Sequence, residues 1–327
     1  MKKVICLFAF ITSSLALAQM EEAQVFGNSI EQQDLKELLY VYASDYFQGR
    51  ETGTLGQKRA VTFLREFYQN RNISAAKGTE DYFQNMELSI KGKSVQTENV
   101  VAIIEGNTFP EEYIVISSHL DHEGIKNGQI YNGADDDGSG SVALLEVAEA
   151  FKKAVEAGKG PKRSIIFLHV SGEEKGLLGS RYYTDNPLYP LANTIANLNI
   201  DMVGRTDPKR QSDNDNYVYL IGSDRLSSQL HEVSEEANSQ TVNLELDYTF
   251  NAKDDPNRFY FRSDHYNFAK NNIPVIFYFN GTHADYHKPT DTVEKIRYDL
   301  LEQRTRLIFY TAWKLANRNE RIVVDKQ

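Results

Sequence analysis

Gly133-Ala134-Asp135-Asp136-Asp137-Gly138-Ser139-Gly140 sets three consecutive carboxylates between glycines, just before a strongly apolar helical pattern. Three adjacent acids repel one another, so positive charge is expected beside them. Two further clusters share this placement. His119-Leu120-Asp121 ends the apolar run Tyr113-Ile114-Val115-Ile116, and Glu173-Glu174 ends the apolar run Ile165-Ile166-Phe167-Leu168-His169-Val170. Each cluster follows a predicted strand. In open α/β sheets ligands bind beyond the carboxyl ends of the strands, and a histidine converging there with several carboxylates suits a zinc-type divalent cation.

Outward from the triplet, the helix starting near Gly138 buries Val142, Leu145, Ala148 and Phe151 on one stripe and stops at Gly158-Lys159-Gly160-Pro161. With its flanking strands it makes a β-α-β unit. Further on, Thr194 to Ile200 reads as a strand capped by Asp201-Met202, and Pro274 to Phe279 as a strand followed by Gly281-Thr282-His283-Ala284-Asp285-Tyr286-His287. Residues 204–216 form a polar surface loop, 217–221 a strand, 225–238 a helix, 241–262 an irregular aromatic-rich segment, 264–271 a helix and 294–317 a long final helix. Upstream, helical spacing runs through Leu35, Leu38, Leu39 and Tyr42 and again through Val61, Leu64, Phe67 and Tyr68, with a turn at 49–56 between them. Residues 80–105 alternate like strands, and 19–30 show no periodicity and are expected to be a loosely packed leader. No repeat or linker interrupts this order. The expectation is one α/β domain over 19–327, with a central mixed, mostly parallel sheet flanked by helices.

Met1-Lys2-Lys3, the apolar stretch Val4 to Leu17 and the ending Ala16-Leu17-Ala18 read as a cleavable signal peptide over 1–18, too short to span a bilayer. Its removal takes away Cys6, the only cysteine, and a periplasmic or secreted protein without disulfides is expected. A formal charge of −10 without Lys/Arg-rich runs argues against nucleic acid or an anionic membrane as partner.

Five positions beyond strand ends are candidate metal ligands: His119, one Asp of 135–137, one Glu of 173–174, Asp201, and a histidine from the 283–287 loop. Two histidines and three carboxylates exceed what one tetrahedral zinc needs and match two zincs sharing a carboxylate, ~3.5–4 Å apart. The charges agree, because two Zn²⁺, three carboxylates and one hydroxide sum to zero. Asp121 is expected to hold the second nitrogen of the His119 imidazole, and His122 to be an exposed neighbour. Of the adjacent glutamates, one is expected to coordinate metal and the other to face the open coordination position as a base.

Ser118-His119-Leu120-Asp121, the triplet, Gly172-Glu173-Glu174-Lys175-Gly176-Leu177-Leu178-Gly179-Ser180, Asn199-Ile200-Asp201-Met202 and Tyr286-His287-Lys288-Pro289-Thr290-Asp291-Thr292 stand in that order. From about Gly49 to the C-terminal helix, the chain resembles the co-catalytic di-zinc aminopeptidases, typified by bacterial leucyl aminopeptidase and related to glutamate carboxypeptidase and glutaminyl cyclase. The resemblance implies His119 and Asp201 on one zinc, Glu174 and His287 on the other, Asp136 bridging, and Glu173 as general base. It also implies a cis peptide between Asp136 and Asp137. Peptides with a free N-terminus are the implied substrates, and no obligate protein partner is implied. A protease-associated domain, which some members insert before the His119 strand, has no room here.

Arg262-Ser263-Asp264-His265 corresponds to a stretch lining the cleft in relatives, with Asp264 expected to cap the next helix. Tyr248, Phe250, Phe259, Tyr260 and Phe261 are candidates for an apolar pocket or for core. Two rival readings share the fold. One is a single-zinc glutaminyl cyclase, which has no need of both His119 and Asp201. The other is a non-catalytic binding module, which should have lost ligands or base.

Overall fold

A computed structural model describes residues 20–326; the expected signal peptide and Cys6 lie outside them. The apolar runs become strands because their side chains are covered on both faces. β7 (Arg163–Val170) and β8 (Thr194–Ile200) are buried at every position. They lie on either side of β4 (Phe109–His119), and β11 (Val275–Phe279) lies beyond β8. All three of these pairings are parallel, as buried continuous apolar runs predict.

Around this centre the nine-stranded sheet is mixed. β3 (Lys93–Ile104) joins β7 antiparallel and carries β1 (Ser74–Ala75) and β2 (Phe83–Ile90). β9 (Tyr217–Ile221) joins β11 antiparallel and carries β10 (Glu245–Asp247) at the far edge. The expected α/β architecture is therefore present. Sequence pattern passed over β10 and the hairpin β5 (Gly124–Lys126) to β6 (Gln129–Tyr131), which are too short to show periodicity.

Helices cover both faces. α2 (Gln32–Tyr42), α3 (Leu55–Asn70) and α8 (Tyr298–Asn317) pack with α4 (Gly140–Glu156) in one large apolar cluster. α5 (Leu178–Asp185) and α7 (His265–Ala269) serve the other face, while α6 (Ser228–Ser239) lies against α8. α4 differs from expectation in being buried nearly all round, not along one stripe. It is the inner helix, with Phe151 4.7 Å from Phe309 and 5.8 Å from Trp313 between ring centroids. The expected loose leader is also wrong. Residues 20–27 form a helix, α1, whose Met20, Ala23 and Phe26 are buried, with Phe26 stacked on Trp313 at 5.7 Å. The apolar face of α1 is only about two turns long, too little for a periodicity to show. Burial of Met20 and Phe26 contributes about 1.5–3 kcal/mol each.

Candidate metal centre and active site

Because the four central strands run parallel, their carboxyl ends open on one edge. His119 ends β4, Ser171-Gly172-Glu173-Glu174 follows β7, Asp201 follows β8, and the loop to His287 follows β11. The aspartate triplet sits between β6 and α4, and backbone amides answer most of its mutual repulsion. Asp137 Oδ1 accepts from the amides of Gly140 (2.9 Å) and Met202 (3.1 Å), and its Oδ2 from that of His119 (3.1 Å). Asp135 Oδ1 accepts from the amide of Gly204 at 2.7 Å and from Ser139 Oγ. These two acids tie the strand ends and α4 together. Asp136, joined to Asp137 by the cis bond that the resemblance implied, instead faces the imidazoles of His119 and His287.

Asp136 Oδ1 lies 3.2 Å from His119 Nε2, which is 3.6 Å from Asp201 Oδ1. Asp136 Oδ2 lies 3.0 Å from His287 Nε2, which is 3.2 Å from Glu174 Oε1. The five residues expected to be ligands thus meet as two donor sets with one carboxylate in common. Asp136 Oδ2 and Glu174 Oε1 are buried with no hydrogen-bond donor among the described residues. Such oxygens, facing imidazole nitrogens at ligand–ligand separations, fit a divalent cation. His283, left as an alternative by spacing, is instead 3.1 Å from Asp135 Oδ2 and serves the support.

The electrostatics point the same way. Burial alone opposes a charged His119, yet Asp201, Glu173 and Asp136 outweigh it and hold its pKa well above the ordinary value. Burial likewise opposes charge on His287, but Asp136 and Glu174 raise it to about 10. Burial would raise Asp136, but His122, His119 and His287 hold it well below the usual range. Glu174 falls to about 2 against burial and the Asp136 charge, through His122 and His287. Glu173 goes the opposite way, raised by burial and, against His119, by Glu174, Asp264 and Asp201. The two adjacent glutamates therefore occupy different environments.

The supporting residues depart from expectation in several places. His119 Nδ1 donates to the backbone carbonyl of Asp121 at 3.0 Å, and the Asp121 carboxylate stands 4.0 Å off. A carbonyl can only accept, so Nδ1 carries a proton and Nε2 is the nitrogen left to face Asp136 and Asp201 as a cation ligand would. His122, expected at the surface, is wholly buried with Nδ1 3.0 Å from Glu174 Oε1. Asp264 caps no helix; its Oδ1 accepts from Ser180 Oγ, and burial pushes its carboxyl up to about 7. His265, the last residue of that segment, is buried and stacks on Phe277 at 4.8 Å.

The roles of two residues escaped sequence reasoning. Ser263 Oγ donates to Asp201 Oδ2 at 2.6 Å and accepts from Asn199 Nδ2 at 2.8 Å, aiming Asp201. Buried Arg50 donates to the carbonyls of Leu120 (3.0 Å), Asn132 (2.7 Å) and Gly133 (2.9 Å), fastening the loops on either side of the hairpin. Its only signal was an arginine within a glycine-rich turn. The cleft beside the donors is walled by Met202, Phe259, Phe277 and Phe279, with Arg262 at its side. Of the five aromatics considered, Phe259 alone lines it. Phe250 packs behind that ring at 4.8 Å, Tyr248 donates to Glu235, and Tyr260 and Phe261 pack elsewhere.

The chain is 26% identical over 308 residues to a probable leucine aminopeptidase of Arthroderma otae, covering 90% of this chain and 79% of that one. A shorter match, 33% identical over 119 residues, covers 36% of this chain but only 16% of a probable glutamate carboxypeptidase of Arabidopsis thaliana. Among solved structures, the LapA aminopeptidase of Legionella pneumophila shares the fold with a TM-score of 0.71 at 20% identity, over 92% of this chain and 76% of that one. A glutaminyl cyclase of Porphyromonas gingivalis does so with 0.69 at 18% identity, over 86% and 97%. The model of peptidase family M28 matches residues 99–312, the span that carries all four strand ends of this centre, and the chain belongs to that family.

Proposed function

We propose that the protein is an exported aminopeptidase that holds two zinc ions and hydrolyses the N-terminal bond of peptides. The observation that carries this is the division of the Asp136 carboxylate, one oxygen facing His119 and Asp201 and the other facing Glu174 and His287. In this reading His119 and Asp201 hold one zinc, Glu174 and His287 the other, and Asp136 both. When bound, the zincs polarise the scissile carbonyl and lower the pKa of water towards ~7.

The chain's own residues do the rest. Glu173 lines the cleft with His119, Asp136 and Asp201. Its carboxylate takes a proton from the attacking water and passes it to the leaving amine, and the acyl C–N bond breaks as the new C–O bond forms. The free α-amine of the substrate is held at the zinc-rich end near Asp201 and Glu173, which restricts cleavage to the first residue. Its side chain lies against Met202, Phe259, Phe277 and Phe279.

Export rests on the expected signal peptide; among the described residues no helix is long and apolar enough to cross a membrane. Single-zinc cyclase chemistry is the second reading, since a glutaminyl cyclase shares the fold. Two complete donor sets favour hydrolysis. Metal analysis of the purified protein with a screen of amino-acid amides tests the proposal. About two zincs per chain and release of the N-terminal residue are expected. One zinc with cyclisation of N-terminal glutamine, or no zinc and no turnover, would replace it by the cyclase or the binding module.

A further inference from the structure

His122 is wholly buried, and neither ring nitrogen has a hydrogen-bond partner among the described residues. An imidazole left so costs free energy unless something else occupies its nitrogens. Nδ1 lies 3.0 Å from Glu174 Oε1 and 3.7 Å from Asp136 Oδ2. The same two oxygens lie 3.2 Å and 3.0 Å from His287 Nε2. Zinc bonds of about 2.0–2.1 Å set neighbouring tetrahedral donors about 3.3 Å apart, and these four separations bracket that value.

The surroundings make room for the ring. Gly133 has φ +54°, and a Cβ there would fall 2.5 Å from His122 Cγ and Cδ2. Arg50 holds the Gly133 carbonyl with its guanidinium and accepts the His122 amide at its own carbonyl (3.4 Å), so ring and glycine are fixed by one buried side chain and its backbone.

We propose that His122 Nδ1 is a fourth protein donor to the cation held by Asp136 Oδ2, Glu174 and His287. The inference rests on the two-zinc reading above and makes the two positions unequal. His119, Asp136 Oδ1 and Asp201 would give one zinc three protein donors. His122, His287, Asp136 Oδ2 and Glu174 would give the other four, so that it would reach water or substrate only by expanding to five-coordinate. The four-donor position therefore binds zinc the more tightly, and it holds Asp136 in place for the other.

The test titrates the full protein with zinc alone in chelator-buffered solutions and counts bound metal. Wild type should fill one position at lower free zinc than the other. His122→Phe keeps a flat ring but no donor, and should need at least ~10-fold more free zinc to fill that tighter position. His122→Ala should behave likewise and regain affinity when imidazole is added, which a purely structural histidine would not allow. Two zincs bound by wild type and variants with equal affinity, or no response to imidazole, would overturn the assignment while leaving the two-zinc reading intact. Wild type that binds fewer than two zincs would remove both.

Discussion

Thr52 Oγ1 donates to Asp121 Oδ2 across 2.8 Å in a buried pair that joins the turn before α3 to the residue after His119-Leu120. The other carboxylate oxygen accepts the amide of Glu173 at 3.1 Å. Asp121 therefore fastens the Glu173 loop with its carboxylate and His119 with its carbonyl. Thr52→Val keeps the shape and removes the hydroxyl, leaving Asp121 Oδ2 buried without that donor. A loss of about 1–3 kcal/mol is expected in urea unfolding, with zinc content unchanged and kcat lowered more than KM is raised. Unaltered stability and kcat would show that the bond does not bear on the loop.

Glu173 and Glu174 are separable by substitution. Glu173→Gln keeps size and metal and removes the proton acceptor, so kcat should fall ~10²–10⁴-fold or more with little change in KM. Glu174→Gln should instead lose zinc, with activity partly restored by excess metal. Zinc loss in Glu173→Gln, or near wild-type turnover with full metal, means the roles are exchanged or the mechanism is another.

For the last loop, His287→Ala should lower bound zinc from about two towards one at limiting free zinc, since a donor is gone. His283→Ala should leave zinc nearly unchanged and lower stability, because His283 supports Asp135. Metal analysis of the two variants side by side decides, and the reverse pattern of loss would overturn the assignment.

Glu146, in the buried helix α4, has its pKa raised from 4.5 to about 8 by burial, with Glu149 and Asp34 adding to it. The folded state keeps this proton up to about pH 8, whereas the unfolded chain releases it above 4.5. Its favourable contribution is thus full below pH 4.5 and is lost as pH rises towards 8. Glu146→Gln removes that dependence. The stability of the variant relative to wild type should climb by up to about 1.4 kcal/mol per pH unit between pH 5 and 8. A difference independent of pH across that window would show that Glu146 is ionised in the fold.

The parallel centre of the sheet was legible because a strand covered on both faces must be apolar throughout, and such runs stand out between acidic loops. His119, the glutamate pair and Asp201 were legible for the same reason, each following such a run, and the triplet because three acids stand between glycines ahead of an apolar helix. α1, β10 and the β5–β6 hairpin were not, since two turns of helix or three residues of strand carry no period. Arg50 and Ser263 were hidden differently. What defines them is the set of carbonyls and the carboxylate they reach, up to 83 residues away in the chain for Arg50.

Sequence alone determined the fold class and five candidate donor positions, because hydrophobic runs and charged strand ends are local properties of the chain. It also brought the cis bond and the choice of His287, through resemblance. The resemblance also named Asp136, but only the tertiary structure shows why it is the free acid of the triplet, since that depends on which amides the other two meet, and only it brought His122 to Glu174. A histidine three residues past a strand is exposed or buried according to what packs over it. Here that is Gly133, whose missing Cβ leaves space for the ring, and Arg50, which holds both in place.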